Sequence, residues 1–172
     1  MRKQNVILIG MPGSGKSSAG ILLAKAMGLN FLDTDVVIQA QQGQLLQTLL
    51  DTGGMDAFLA IEKTTLLGLS PIATVVATGG SVIYSPEAMA HLGQGGVMVY
   101  LETELDELKR RLGNMAERGV AVQPGMGLDE LYAQRLPLYE QYADVTVTNT
   151  GKTVEETVAE ISERVAAVTE TA

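Results

Sequence analysis

The stretch Gly10-Met11-Pro12-Gly13-Ser14-Gly15-Lys16-Ser17 decides how this chain is read. It sets glycine, four residues, glycine, lysine and serine in a row. It follows the apolar run Val6-Ile7-Leu8-Ile9 and opens an amphipathic run over 16–27. Strand, tight loop and helix together are the setting in which this spacing makes a phosphate-binding loop. Gly10, Gly13 and Gly15 let the backbone curl with its N–H groups inward, where side chains would block an anion. A helix starting near Lys16 turns its positive end toward the same place. Lys16 offers a point charge for β- and γ-phosphates, and the Ser17 hydroxyl is a hard oxygen ligand suited to Mg²⁺. Gly13, Ser14, Gly15, Lys16, Ser17 and Ser18 are therefore the candidate nucleotide-binding residues.

Outward from this loop, short apolar runs alternate with longer amphipathic ones. Strands are expected over 6–9, 30–32, 74–77, 96–101 and 145–147. Helices are expected over 16–27, 36–41, 44–50, 56–69, 86–91, 104–112, 128–142 and 154–168. Val-Ile-Leu-Ile and Thr-Val-Val-Ala are apolar on both faces, as strands of a helix-covered parallel sheet must be. The alternation predicts a three-layer α/β domain with helices on both faces. The helix from Glu104 has Thr103 as an expected cap, acids in its first turn and Lys109, Arg110 and Arg111 near its end. Residues 113–127 hold four glycines and a proline without a clear period, and read as a lid.

Composition narrows the partners. The 172 residues fit one domain, and 46% apolar content fills a core. A net charge of −8 with 4% aromatics is poorly suited to a polyanion, so nucleic acid is excluded as a partner. There is no cysteine, which removes disulfides and thiolate chemistry and fits a reducing compartment. No apolar stretch is long enough to span a bilayer. The expectation is a cytoplasmic monomer that meets neither membrane nor nucleic acid. His91, the single histidine, reads as structural, and the eight methionines as core filler.

Two other classes of phosphate-loop protein fail on context. Asp51-Thr52-Gly53-Gly54 looks like a GTPase switch, but the residues before it have helical periodicity, and the guanine-reading Asn-Lys-x-Asp is absent. A motor ATPase would end a later strand on an acid; Val75-Val76-Ala77 runs into Thr78-Gly79-Gly80 instead. The acids come earlier. Asp33-Thr34-Asp35 follows the second strand, at the sheet edge where α/β proteins bind ligands. One carboxylate can serve Mg²⁺ and the other an acceptor hydroxyl; alternatively, one caps the helix that follows.

The phosphate loop, then Phe31-Leu32-Asp33-Thr34-Asp35-Val36-Val37-Ile38, Val75-Val76-Ala77-Thr78-Gly79-Gly80 and Arg135-Leu136-Pro137-Leu138-Tyr139, resemble the shikimate kinases in order and spacing. The resemblance covers nearly the whole chain. It implies a five-stranded sheet in order 2-3-1-4-5, an acceptor-binding region over 34–69, the lid, and ATP with Mg²⁺ as cofactors. It implies catalytic roles for Lys16, Asp35 as base, and Arg118 as the lid arginine reaching the phosphates. Asp33 would join Ser17 at the metal, and Arg111 would lie near adenine. Asp35, Gly79, Gly80 and Arg135 would bind the acceptor, the glycines through backbone N–H groups and Arg135 through the substrate carboxylate. Chemistry independently favours these types: a lid arginine neutralises charge in phosphoryl transfer, worth roughly 10³–10⁵ in rate where arginine fingers are measured, and arginine meets a carboxylate with paired hydrogen bonds.

The match departs from the family in the acceptor half. Leu59 follows Phe58 where the family has a second arginine for the substrate carboxylate, a loss worth about 1.5–3 kcal/mol. Gln39 replaces a glutamate that commonly partners that arginine. Ser81 replaces a third glycine, and Val120 stands near Arg118 where the family has proline. Three readings remain: a shikimate kinase anchored chiefly by Arg135; a kinase for another small polyol or hydroxy acid, with Leu59 shaping the pocket; or a nucleotide-binding regulatory relative with little turnover. Intact Lys16, Ser17, Asp33 and Asp35 speak against the last.

Overall fold

The computed structural model describes residues 4–113 and 120–170. Five parallel strands form one sheet: β1 (Asn5–Ile9), β2 (Asn30–Asp33), β3 (Thr74–Ala77), β4 (Gly96–Glu102) and β5 (Val145–Thr148). Their order is β2-β3-β1-β4-β5, as the resemblance implies. β1 sits at the centre with every residue buried. It pairs Val6 with Val75 on one side and Val97 on the other. Because side chains alternate across a strand, β1 feeds two cores. Ile7 and Ile9 join Val76, Met98 and Tyr100 on one face; Val6 and Leu8 join Val75, Val97 and Val99 on the other.

The helices among the described residues are α1 (Lys16–Met27), α2 (Thr34–Gln42), α3 (Leu46–Leu67), α4 (Pro86–Gly93), α5 (Leu105–Leu112), α6 (Leu128–Tyr142) and α7 (Val154–Glu170), with a short 3-10 turn at Val82–Tyr84. α1 and α7 pack on each other and cover the Val6–Leu8 face. Parts of α3, α4, α5 and α6 cover the opposite face. Thr157, Val158, Ile161 and Val165 form the buried stripe of α7, and its Glu155, Glu156 and Glu163 are exposed.

The two helices expected over 44–50 and 56–69 are present within α3, meeting at a kink at Gly54, where φ of 76° and ψ of 178° break the helical path. Asp51–Gly54 therefore lies within helix rather than at a strand end, which removes the switch-like reading. Two local expectations, the start of α2 and the cap of α5, are corrected. α2 begins at Thr34, two residues early, because Asp33 caps it by accepting from the Asp35 and Val36 N–H groups. Thr103 does not cap α5: Glu104 holds that position without a side-chain bond, and the Thr103 hydroxyl donates to Asn149 Oδ1 at 2.7 Å. His91 is structural as expected, its Nε2 donating to the Leu69 carbonyl at 2.7 Å. Among the described residues no helix is long and apolar enough to cross a membrane.

Ile161 has no exposed surface and lies in the centre of the α7 stripe. Ile161→Ala is expected to lower unfolding free energy by about 2–5 kcal/mol through lost burial and a residual cavity. Urea unfolding should show a lower midpoint with unchanged slope.

Candidate active site

The phosphate loop leaves β1 at Gly10 and enters α1 at Lys16. Gly13 and Gly15 have φ of 80° and 89°, conformations that carry no side-chain penalty only for glycine. No side chain caps α1, so its first N–H groups face the loop interior. Lys16 is 7% exposed, and its ammonium donates to the Gly10 and Met11 carbonyls, each at 2.8 Å, and to Ser14 Oγ at 3.3 Å. Burial lowers its pKa to about 8, with Asp35 opposing and Arg135 adding to the shift. Ser17 and Ser18 are exposed at the loop's outer edge. Arg111, at the end of α5, donates to the Gly13 carbonyl at 3.3 Å and to Glu107 at 2.7 Å, which places it beside the loop.

The Asp33 carboxylate acts at both its oxygens. Oδ1 caps α2, and Oδ2 accepts from Ser17 Oγ at 2.5 Å. Ser17 and Asp33 thus present two hard oxygen donors side by side. Mg²⁺ commonly takes one or two protein oxygens and completes its shell with water and phosphate, and this pair fits that pattern. No group of three or more acids or histidines offers an all-protein metal cage among the described residues.

A cleft of about 450 Å³ opens over the loop. Asp35, Phe58, Gly79, Gly80, Ser81 and Arg135 form its walls, and Val120 and Ala121 close one side. Burial, reinforced by Asp33 and opposed by Lys16, raises the Asp35 pKa to about 6. Gly79 sits between two carboxylates: a Cβ there would meet both Asp35 Oδ1 and Glu62 Oε1 at 2.8 Å. A Cβ on Gly80 would lie 2.9 Å from Arg135 Nη1 and 2.7 Å from Pro12. The glycine pair is needed because these groups close in on the backbone itself. The Gly79 N–H already donates to Thr34 Oγ1 at 3.2 Å. The Gly80 N–H has no hydrogen-bond partner among the described residues.

Arg135 is fully buried on α6. Its Nε donates to Tyr84 Oη at 3.2 Å, Nη2 donates to the Ala121 carbonyl, and its guanidinium lies 5.3 Å from the Tyr84 ring centre. Among the described residues, Nη1 is buried without a hydrogen-bond partner. A buried guanidinium with a vacant donor is costly unless an anion meets it.

The residues that depart from the family pattern are accounted for locally. Gln39 Oε1 accepts from the Leu46 N–H at 3.1 Å and so caps the start of α3. Ser81 Oγ donates to Glu62 Oε2 at 2.8 Å, while Glu62 Oε1 has no partner among the described residues. Burial holds the Glu62 pKa up at about 7, with the Ser81 bond opposing. Leu59 does not border the cleft. It lines a side cavity of about 180 Å³ with Glu62, Lys63, Tyr84 and Glu87, which corrects the expectation that it shapes the acceptor pocket. Arg118 lies outside the described residues.

Sequence reasoning missed Asn149, Glu62, Tyr84 and Tyr139. Asn149 is buried just past β5, and its Nδ2 donates to the Ser14 carbonyl at 2.6 Å. The strand-end rule that selects Asp33 and Asp35 selects Asn149 as well. The Tyr139 hydroxyl donates to the Gly80 carbonyl at 2.6 Å.

A family model described as shikimate kinase matches residues 12–166. A shikimate kinase of Synechococcus sp. (strain RCC307) is 39% identical over 167 residues, covering 94% of this chain and 82% of the relative. One from Salinispora arenicola is 36% identical over 163 residues, covering 94% and 97%. Among solved structures, shikimate kinase from Acinetobacter baumannii in complex with shikimate matches with a TM-score of 0.87 at 27% identity, covering 95% of this chain and 93% of that one. Matches of this extent leave no large part of the chain outside the comparison, and the chain belongs to the shikimate kinase family of small-molecule kinases.

Proposed function

We propose that this protein transfers the γ-phosphoryl group of ATP, with Mg²⁺, to a hydroxyl of shikimate. The observation that carries the acceptor class is the fully buried Arg135 on the cleft wall, whose Nη1 has no hydrogen-bond partner among the described residues. It calls for a small anion, and the carboxylate of a hydroxylated acid supplies one. The relatives' shared name and the shikimate held by the Acinetobacter baumannii enzyme support shikimate as that acid.

The roles follow from charge and reach. Lys16 and the inward N–H groups of the loop neutralise the phosphates. Mg²⁺, when bound at Ser17 and Asp33, would supply further charge neutralisation at the phosphates. Asp35 faces the cleft and accepts the hydroxyl proton as the acceptor oxygen bonds to the γ-phosphorus and the bond to the β-phosphate oxygen breaks. A carboxylate with pKa near 6 is a stronger base than an ordinary one and is still ionised at neutral pH. Arg135 orients the acceptor by its carboxylate, and the Gly80 N–H contributes a neutral donor. Phe58 gives the ring of the acceptor an apolar wall. Arg111, bonded to the Gly13 carbonyl, serves the nucleotide rather than the acceptor in this reading.

In a coupled ADP-release assay the purified protein is expected to turn over with shikimate. No turnover with shikimate, but turnover with another small hydroxy acid, would reassign the acceptor. Asp35→Asn should cut kcat by about 10²–10⁴, the range of a general base, while Mg-ADP affinity by calorimetry stays unchanged.

Arg135→Lys keeps the charge but loses the fork, and should raise KM for shikimate roughly 10- to 150-fold, with little change in KM for ATP.

Asp35 works ionised, so kcat/KM should fall as pH drops through about 6. Lys16 works charged and its pKa is lowered to about 8, so Mg-ADP affinity should weaken as pH rises past that value. A pH series of both measurements checks the two limbs separately.

A further inference from the structure

We propose that Tyr139 is a positioning residue for the acceptor, acting by fixing the peptide between Gly80 and Ser81. The inference rests on the acceptor reading above and assigns a further determinant of it. Arg135 and Tyr139 lie one turn apart on α6 and present the same face to this segment. Arg135 Nη1 approaches Gly80 from one side, within 2.9 Å of where its Cβ would be. Tyr139 Oη donates to the Gly80 carbonyl at 2.6 Å. α6 therefore holds the ligand-facing cation and the backbone beside it with a single rigid element.

A trans peptide points its C=O and N–H in opposite directions. The carbonyl that Tyr139 holds belongs to the same peptide as the Ser81 N–H, so the bond sets where that N–H aims. The Val82 and Tyr84 N–H groups donate to the Gly79 and Ser81 carbonyls; the Ser81 N–H has no backbone partner among the described residues. Both Gly80 and Ser81 border the cleft, so this peptide presents a donor whose direction matters to a ligand. Glycine offers little resistance to peptide rotation, and an outside anchor supplies it. Ser81 is held from its other end by the bond to Glu62. Tyr139 is suited to a fixed donor role. It is fully buried and stacks on Tyr100 with ring centres 5.2 Å apart. Burial also pushes its phenol well above the usual tyrosine range, so the hydroxyl keeps its proton.

Tyr100 provides the control. Its ring lies in the same stack, and its buried hydroxyl has no hydrogen-bond partner among the described residues. In the purified full chain, Tyr139→Phe is expected to raise KM for shikimate roughly 3- to 10-fold, the worth of one hydrogen bond. kcat should stay within about twofold, and Mg-ADP affinity should not move. Tyr100→Phe should change none of these. In amide NMR spectra without ligand, the Ser81 resonance should shift in Tyr139→Phe and stay in Tyr100→Phe. That readout needs no acceptor, so wild-type protein inactive on shikimate would sink the acceptor reading and leave this test standing. The proposal is overturned by an unmoved Ser81 resonance, by a lower melting temperature with unchanged KM, or by equal loss of nucleotide and acceptor affinity.

Discussion

A buried ammonium governs this molecule. Lys16 sits inside its own loop, and burying a charge is costly unless polar atoms surround it. The Gly10 and Met11 carbonyls and the Ser14 hydroxyl do so. Those carbonyls can point inward only because the loop curls, and the loop curls only because glycines stand where φ is positive. β1 delivers the loop from the centre of the sheet, where both faces are packed and the anchor point cannot shift. Asn149 and Thr103 brace the loop from β5 and β4. The sheet order thus serves electrostatics: the two strands on one side of β1, β4 and β5, bring polar groups to the rim of one charged loop.

The acceptor half is built on the opposite logic. Carboxylates gather near Gly79, with Asp35 and Glu62 on its two sides, and cations stand beyond them, Lys16 in the loop and Arg135 behind Gly80. The two acids are pushed up to about 6 and about 7 because burial outweighs the neighbouring positive charge. Among the described residues, Arg135 Nη1 on the cleft wall and Oε1 of Glu62, which lines the side cavity, are buried without a hydrogen-bond partner. The two are unsatisfied in opposite senses, one able to take an acceptor and the other a donor, and buried polar atoms in that state cost stability.

Much of this was legible from local pattern. The phosphate loop, all five strands and the boundaries of α1 and α6 follow from spacing and hydrophobic period, which depend on neighbours in sequence. Asp33 and Asp35 were legible from their place after a strand. What escaped depends on distant residues. Nothing near Arg135 in sequence announces that it is fully buried; its neighbours Tyr84 and Ala121 come from other elements. Glu62 reads as one more charge on a long helix until Ser81 arrives to bind it. Thr103 is not a cap for the same reason: local chemistry permits a cap, and Asn149, just past β5, takes the hydroxyl instead. Leu59 looked like a change in the acceptor pocket, but the direction of the α3 face carries it into the side cavity.

The bond from Asn149 to Ser14 spans 135 residues of chain. A ribosome releases the loop well before its brace. Over that stretch of synthesis the glycine-rich loop is present without the contact that completes it. Only a chain that has placed its fifth strand holds the loop in its finished shape, ready to gain whatever steadiness a bound ligand confers.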